Sequence, residues 1–270
     1  MKARRFASAN RSLRLSTIAV ASVASLGGTA HAAEGPGDTQ SLPCRPTIAC
    51  TAELVAPGAF ELETGALTRR FADHAQQLSD PFLAKLTLTT WVQLQVGSNG
   101  YTNEQGKVPA RYFDNVYGGP KFHLSDQTAK LPSVSFSFAA SLPTVAQEGY
   151  VRGDDLFLIG YVTKDIGKLH ADLNVGLNRF GIDTVPASQE WVALALSMNL
   201  PSPFGAMVEN YYFTNAGALA SRDGGLLFAI SHSPRPWLVF DMGGDIGYFP
   251  GTRAFSAFFG ATIVPFVLWK

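Results

Sequence analysis

The chain has 270 residues and contains no uninterrupted run of eighteen apolar residues. A helix crossing a bilayer needs such a run, so a helical membrane protein is excluded. Charge is scarce: Asp, Glu, Lys and Arg make up 16%, against about a quarter in soluble domains. There are only two cysteines, Cys44 and Cys50, too few for a disulfide-built domain and without further ligands nearby for a metal. No phosphate-binding loop and no zinc spacing is present, nor is a Gly-x-Ser-x-Gly elbow. Glycine and aromatic residues are plentiful instead, with 26 Gly and 11% aromatics. Mean hydropathy is only +0.09. Low charge without a spanning helix fits a transmembrane barrel, because its lumen face keeps the mean hydropathy modest.

The net charge of zero hides an asymmetry. The first 32 residues carry five cations (Lys2, Arg4, Arg5, Arg11, Arg14) and no acid. Setting these aside leaves 16 Lys and Arg against 21 Asp and Glu, an acidic remainder and a poor partner for nucleic acid. Residues 1–32 read as a signal peptide: a basic start, an apolar middle over 15–26, then Ala30-His31-Ala32 before the expected cleavage point. Residues 33–57 are rich in Gly, Pro, Thr and Ser and show no sustained period. In an exported chain Cys44 and Cys50 suggest a small disulfide loop. This irregular segment either stays in the periplasm as a stapled tail or folds into a lumen as a plug.

From residue 58 the pattern changes. In 82–97 (FLAKLTLTTWVQLQVG), Phe82, Ala84, Leu86 and Leu88 alternate with Lys85, Thr87 and Thr89. After a turn at Thr89-Thr90, Val92, Leu94 and Val96 alternate with Gln93, Gln95 and Gly97. A period of two gives a strand one apolar and one polar face, so this stretch predicts a hairpin. About twelve such strands follow one another from residue 58. The first, 60–69, sets Phe60, Leu62, Thr64 and Ala66 against Glu61, Glu63, Gly65 and Arg69. Residues 70–80 and 98–114 read as polar loops. The fourth strand, near 117–124, is interrupted by Gly118-Gly119-Pro120. The fifth sets Ser133, Ser135, Ser137 and Ser141 against Val134, Phe136, Phe138 and Leu142, before a polar loop with Glu148, Arg152 and Asp154. The sixth, 156–163, is apolar on both faces and hides its register. The seventh places His170, Asp172, Asn174 and Asn178 opposite Ala171, Leu173, Val175 and Leu177. Strands over 191–200, 206–214, 225–231, 238–245 and 255–269 complete the set, with turns predicted at 164–167, 201–203 and 233–236.

Connections after even-numbered strands are short, and those after odd-numbered ones are mostly longer and more charged. Outer-membrane barrels pair short periplasmic turns with long outer loops in this way. The same scheme puts Trp91, Trp237 and Trp269 at the periplasmic rim and Trp191 at the opposite one, as aromatic girdles. The expected fold is therefore all-β: a closed, antiparallel, up-and-down transmembrane β-barrel of about twelve strands over 58–270. Its partners are outer-membrane lipid and the barrel-assembly machinery, and its place is the outer membrane of a Gram-negative bacterium.

Residues 56–63 (APGAFELE) followed by 83–97 resemble the outer-membrane transporter-like proteins named for the meta pathway of phenol degradation. The resemblance spans most of 55–270 in layout and about 30 residues in motif. The chain's end, Pro265-Phe266-Val267-Leu268-Trp269-Lys270, departs from the usual barrel signal. The family carries no agreed catalytic residues. The resemblance implies passive passage of small molecules, aromatic or hydrophobic ones among them.

By parity the lumen face holds Glu61, Glu63, Arg69, Lys85, Gln93, Gln95, Lys121, His123, His170, Asp172, Asn174, Glu209, Asp241 and Asp245. These residues either line and wet a solute path or pair with one another and fill a narrow interior. Neither cofactor nor metal is expected. An enzyme reading finds only His123-Leu124-Ser125 and Ser231-His232-Ser233 as close Ser/His pairs. Ser231 and His232 are adjacent on a strand, so they point to opposite faces and do not meet. The chain is therefore read as a non-enzyme. A structural or adhesive barrel without transport is the alternative, with a barrel lipid hydrolase behind it.

Overall fold

The computed structural model describes residues 37, 39–71, 74–106, 109–142, 144, 155–181, 187–215, 221–249 and 253–269. The expected signal peptide and the loop with Glu148, Arg152 and Asp154 lie outside them. Fifteen strands form one sheet, and no helix occurs among the described residues. β1 (Ala59–Phe71) pairs with β3 (Phe82–Thr87), then come β4 (Val92–Ser98), β7 (Val116–Ser125), β8 (Ser133–Leu142), β9 (Leu156–Ile166), β10 (Leu169–Phe180), β11 (Ala187–Asn199), β12 (Phe204–Phe213), β13 (Asp223–Arg235), β14 (Leu238–Gly247) and β15 (Arg253–Val267). β15 returns to β1 antiparallel, from Ala59↔Val267 to Phe71↔Arg253. The ladder is a closed ring of twelve staves in meander order.

Three short strands extend the ring where polar loops were expected. β2 (Gln76–Ser79) continues β3 above Asp80-Pro81 and pairs with Leu67–Arg70 of β1. β5 (Tyr101–Gln105) and β6 (Ala110–Phe113) add to it in turn. The three neighbouring staves break at one level, at 80–81, 99–100 and 114–115. Gly100, at φ +70°, stands there because a side chain would meet the Asp80 carbonyl at 2.1 Å. These strands escaped the sequence reading because apolar alternation marks only the part of a stave that needs a greasy side. The hydrogen-bond ladder runs on beyond it.

Two predicted turns are tighter than expected. β9 runs through Ile166, leaving 167–168 as the turn, and β13 runs through Arg235, leaving 236–237. β7 is continuous through Gly118-Gly119-Pro120, with one register against β8 on both sides of it. The register of β9 is now defined: Tyr161 and Thr163 are buried inward, and Leu158 faces out.

The two faces of the ring have opposite chemistry. Along β11, Gln189, Trp191, Ala193 and Ala195 are buried, while Val192, Leu194, Leu196 and Met198 are exposed. The same holds around the ring, with Leu94, Phe138, Val175, Phe228, Met242 and Phe259 outside and Glu61, Lys85, Lys121, Thr163, Asn174 and Glu209 inside. A soluble protein would not expose an apolar belt of this extent to water. Hydrocarbon accommodates it.

The tryptophans divide differently from expectation. Trp91 and Trp269 are exposed. Trp191 turns inward, lies over Gly176 of the neighbouring strand and donates to Asn178 Oδ1 at 3.2 Å. Trp237 packs with Leu42, Val55 and Val264 inside. Both inward rings have an interior partner to cover, which a rim assignment from chain position does not register.

Leu194 sits mid-stave on the outer face, so Leu194→Arg is expected to cost about 2–4 kcal/mol at mid-bilayer depth. Ser188→Arg, outward near the long-loop end, should be close to neutral. Heat-modifiable migration of membrane-extracted protein reads the difference, and equal damage from both would reverse the inside–outside assignment.

Candidate functional site in the barrel interior

Residues 39–57 run through the lumen before the chain enters β1. They form no strand, so their backbone groups need partners from the wall. Polar wall side chains supply them. Glu61 accepts from Leu42 N at 2.7 Å, and Glu63 accepts from Cys44 N at 2.9 Å and Arg45 N at 2.8 Å. Across the lumen Glu209 accepts from Ile48 N at 2.9 Å and Ala49 N at 2.6 Å. The Asn174 amide, oriented with nitrogen to Cys50 O (2.9 Å) and oxygen to Cys50 N (2.8 Å), engages the next residue. Thr163 Oγ1 accepts from Ala52 N at 2.6 Å, and Lys121 donates to Thr51 O at 2.6 Å. The Cys44–Cys50 disulfide closes the loop that reaches Glu209.

Glu61, Glu63 and Lys85 are 0%, 0% and 2% exposed. Lys85 pairs with both carboxylates, with Glu63 at 2.5 Å, and donates to Leu42 O at 2.8 Å. Buried charges persist only when paired and hydrogen-bonded. This cluster meets both conditions by gripping the segment. Lys121 also lies 4.4 Å from the Tyr161 ring centre.

Arg45 has its own slot. Gly65 and Gly260 are cross-strand partners at the β1–β15 seam. A methyl at Gly65 would stand 2.5 Å from the guanidinium, and one at Gly260 2.6 Å. Arg45 Nη2 donates to Phe259 O at 3.3 Å and lies 3.7 Å from Asp241 Oδ1. Arg45 is the single cation of residues 33–57, a signal the sequence reading left unused.

The other residues of the parity set sit elsewhere on the inner face. His123 Nδ1 lies 3.1 Å from both Ala52 O and Ser135 Oγ, and Nε2 lies 2.9 Å from Asp126. This Ser–His–Asp arrangement joins residues the sequence did not pair. Ser135 is buried and donates to Ala52 O, which occupies the face a substrate would need. Ser231 lines the interior, whereas His232 lies between Phe204 and Phe240 outside. Gln93 donates to Thr87 Oγ1 at 3.0 Å and accepts from Gln95 at 2.9 Å. His170 bridges Asp165 (2.7 Å) and Asp172 (3.3 Å). Toward the long-loop end, Arg69 bonds Gln77 at 3.0 Å, and Asp245 accepts from Tyr211 at 3.0 Å and from Ser256. The wall residues thus divide between those bonded to one another and those bonded to the inner segment, and Glu61, Glu63, Lys85 and Thr163 do both.

At the short-turn end a cavity of about 1040 Å³ lies between the segment and the wall of β9–β14. Above it Ile48 and Ala49 pack against Trp191, Ala193, Ala195 and Tyr211. A separate apolar inner patch, Leu227, Ala229 and Phe258 with Leu67 and Met207, lines the wall of β12–β15 and β1.

Lys85→Met leaves two buried carboxylates with no cation, a change expected to cost about 3–5 kcal/mol. Combining it with Glu61→Gln and Glu63→Gln should recover a large part of that. Guanidinium unfolding of the reconstituted barrel measures both.

No family model matches the chain, and no curated protein sequence does. Among solved structures it is similar to an outer-membrane channel from Pseudomonas putida F1, with a TM-score of 0.59 at 11% identity, over 82% of this chain and 99% of that one. An anion-selective porin from Comamonas acidovorans gives a TM-score of 0.42 at 9% identity, over 76% and 98%. At 11% identity the first likeness concerns the fold: a closed antiparallel barrel.

Proposed function

We propose that the chain is an outer-membrane channel in which its own residues 39–57 form the constriction. The observation that carries this reading is the interior. Wall side chains do not fill it: it takes in a segment of the same chain and still keeps a cavity of about 1040 Å³. Barrels of about eight strands fill their lumen with side chains, and larger ones enclose a cavity or channel. A stopper bonded on all sides is the alternative, and the buried Glu61–Lys85–Glu63 cluster favours it to the extent that the segment never moves.

Small molecules with apolar or aromatic bodies are the proposed solutes. The apolar patch around Phe258 and the inward rings of Trp191 and Tyr211 support that class. Membership of the transporter-like family named for phenol degradation is proposed on the same footing, supported by the 56–63 motif and by the fold of the Pseudomonas channel. Residues 1–32 act as the cleaved export signal, barrel-assembly machinery inserts the chain, and no catalytic role is assigned.

Planar-bilayer recordings test the reading directly. The full chain should show small single-channel currents, and deletion of 39–55 should raise them. An absence of current from both forms, with the barrel verified as folded, would favour the structural alternative.

A further inference from the structure

On the wall of β12–β15 and β1 the interior changes character for one level. Met207 pairs with Ala229, Ala229 with Gly243, Gly243 with Phe258 and Phe258 with Leu67, so these inward residues form one row across five neighbouring staves. The row carries no polar side chain. One level toward the short-turn end lie Ser231 and Asp241, and one level toward the long-loop end lie Glu209, Asp245 and Ser256. An apolar girdle one residue high thus separates two polar levels. Its middle is small, since Ala229 carries a methyl group and Gly243 no side chain. Ala229 is nevertheless only 6% exposed. It forms one cluster with Leu227 and Phe258, and Leu67 and Met207 pack against that cluster.

Two further observations put this row in the way of a solute. Met207 borders the cavity at the short-turn end, whereas Ala229 and Phe258 do not, so on this wall the cavity ends at the row. The inner segment is anchored to either side of it, by Arg45 beside Asp241 on β14 and by Ile48 and Ala49 at Glu209 on β12. β13 stands between those anchors. Among the described residues no hydrogen bond ties 39–57 to β13. Resting on the channel reading above, we propose that solutes pass between the Cys44–Cys50 loop and β13, and that Met207 and Phe258 determine which of them pass. A strongly hydrated solute crossing the row sheds water and finds no polar side chain to replace it. A molecule with an aromatic body gives up less. Met207, unbranched and flexible, refills the space around such a body, and its thioether favours contact with a ring.

Swelling of proteoliposomes holding the full chain tests this with two uncharged probes, phenyl β-D-glucoside and cellobiose, which has a second sugar in place of the ring. The wild-type barrel should pass the phenyl glucoside at least fivefold faster. Phe258→Ser, shorter and polar, should abolish that preference in barrels that keep heat-modifiable migration. A second arm does not depend on that variant. The two cysteines of the chain are bonded to each other, so Ala229→Cys supplies the single free thiol. Its modification by benzyl methanethiosulfonate, verified by mass, should cut entry of the phenyl glucoside at least fivefold. The same treatment of Gln93→Cys, inward on β4, should leave it within twofold. The assignment is overturned if the wild-type barrel shows no preference, if the preference survives in Phe258→Ser, or if Ala229→Cys resists the reagent or carries it with flux unchanged. Wild-type barrels that pass one probe or both keep the channel reading whatever the variants do, and folded barrels that pass neither probe overturn both.

Discussion

Ring closure between β1 and β15 is the constraint from which the rest follows. In hydrocarbon each unpaired N–H or C=O costs several kcal/mol, so a sheet that faces lipid cannot have an edge. The seam runs from Ala59↔Val267 to Phe71↔Arg253 with register shifts between Phe60 and Leu62 and between Arg70 and Phe71, and Leu268 N still donates to Gly58 O at 2.8 Å beyond it. Gly58 takes φ +78° at that point because a side chain there would overlap the Trp269 carbonyl. Closing the ring also encloses every second side chain, and twelve staves enclose more space than those side chains fill.

The inner segment answers the second half of the same constraint. Residues 39–57 have no ladder of their own, so carboxylates, an amide, a threonine and two lysines of the wall serve as their hydrogen-bond partners. The charged residues on the inner face are therefore neither a bare water-lined path nor a self-contained filling. Glu61, Glu63 and Lys85 neutralise one another while they hold Leu42 and Cys44. Glu209, on the opposite wall, holds Ile48 and Ala49. Polar groups that each satisfy a different stretch of backbone specify one path through the lumen, which a greasy interior would not do.

Alternation carried most of the architecture. Ser133, Ser135 and Ser137 against Val134, Phe136 and Phe138 could be read as two faces without coordinates, and so could Asp172 and Asn174 against Leu173 and Val175. Lipid and lumen impose opposite chemistry on neighbouring residues, and that contrast survives in the order of the amino acids. The signal stops where the bilayer stops. β2, β5 and β6 stand above it, both their faces tolerate polar residues, and only the backbone ladder defines them. Trp191 and Trp237 were misplaced for a related reason: nearness to a turn says how high a ring sits and nothing about which way it points.

The chain order alone thus pointed to about twelve staves, a meander between them, the disulfide-sized cysteine spacing and, for most staves, which side carries the polar residues. These are properties of neighbours one or two residues apart, and a period of two records them. Only the tertiary structure decided what each inward residue meets. Lys85 lies 41 residues from Cys44, Ile48 lies 161 from Glu209 and Arg45 lies 214 from Phe259. Those partners come together because the ring closes and the segment crosses it, and no local pattern encodes which points of a closed wall will face each other.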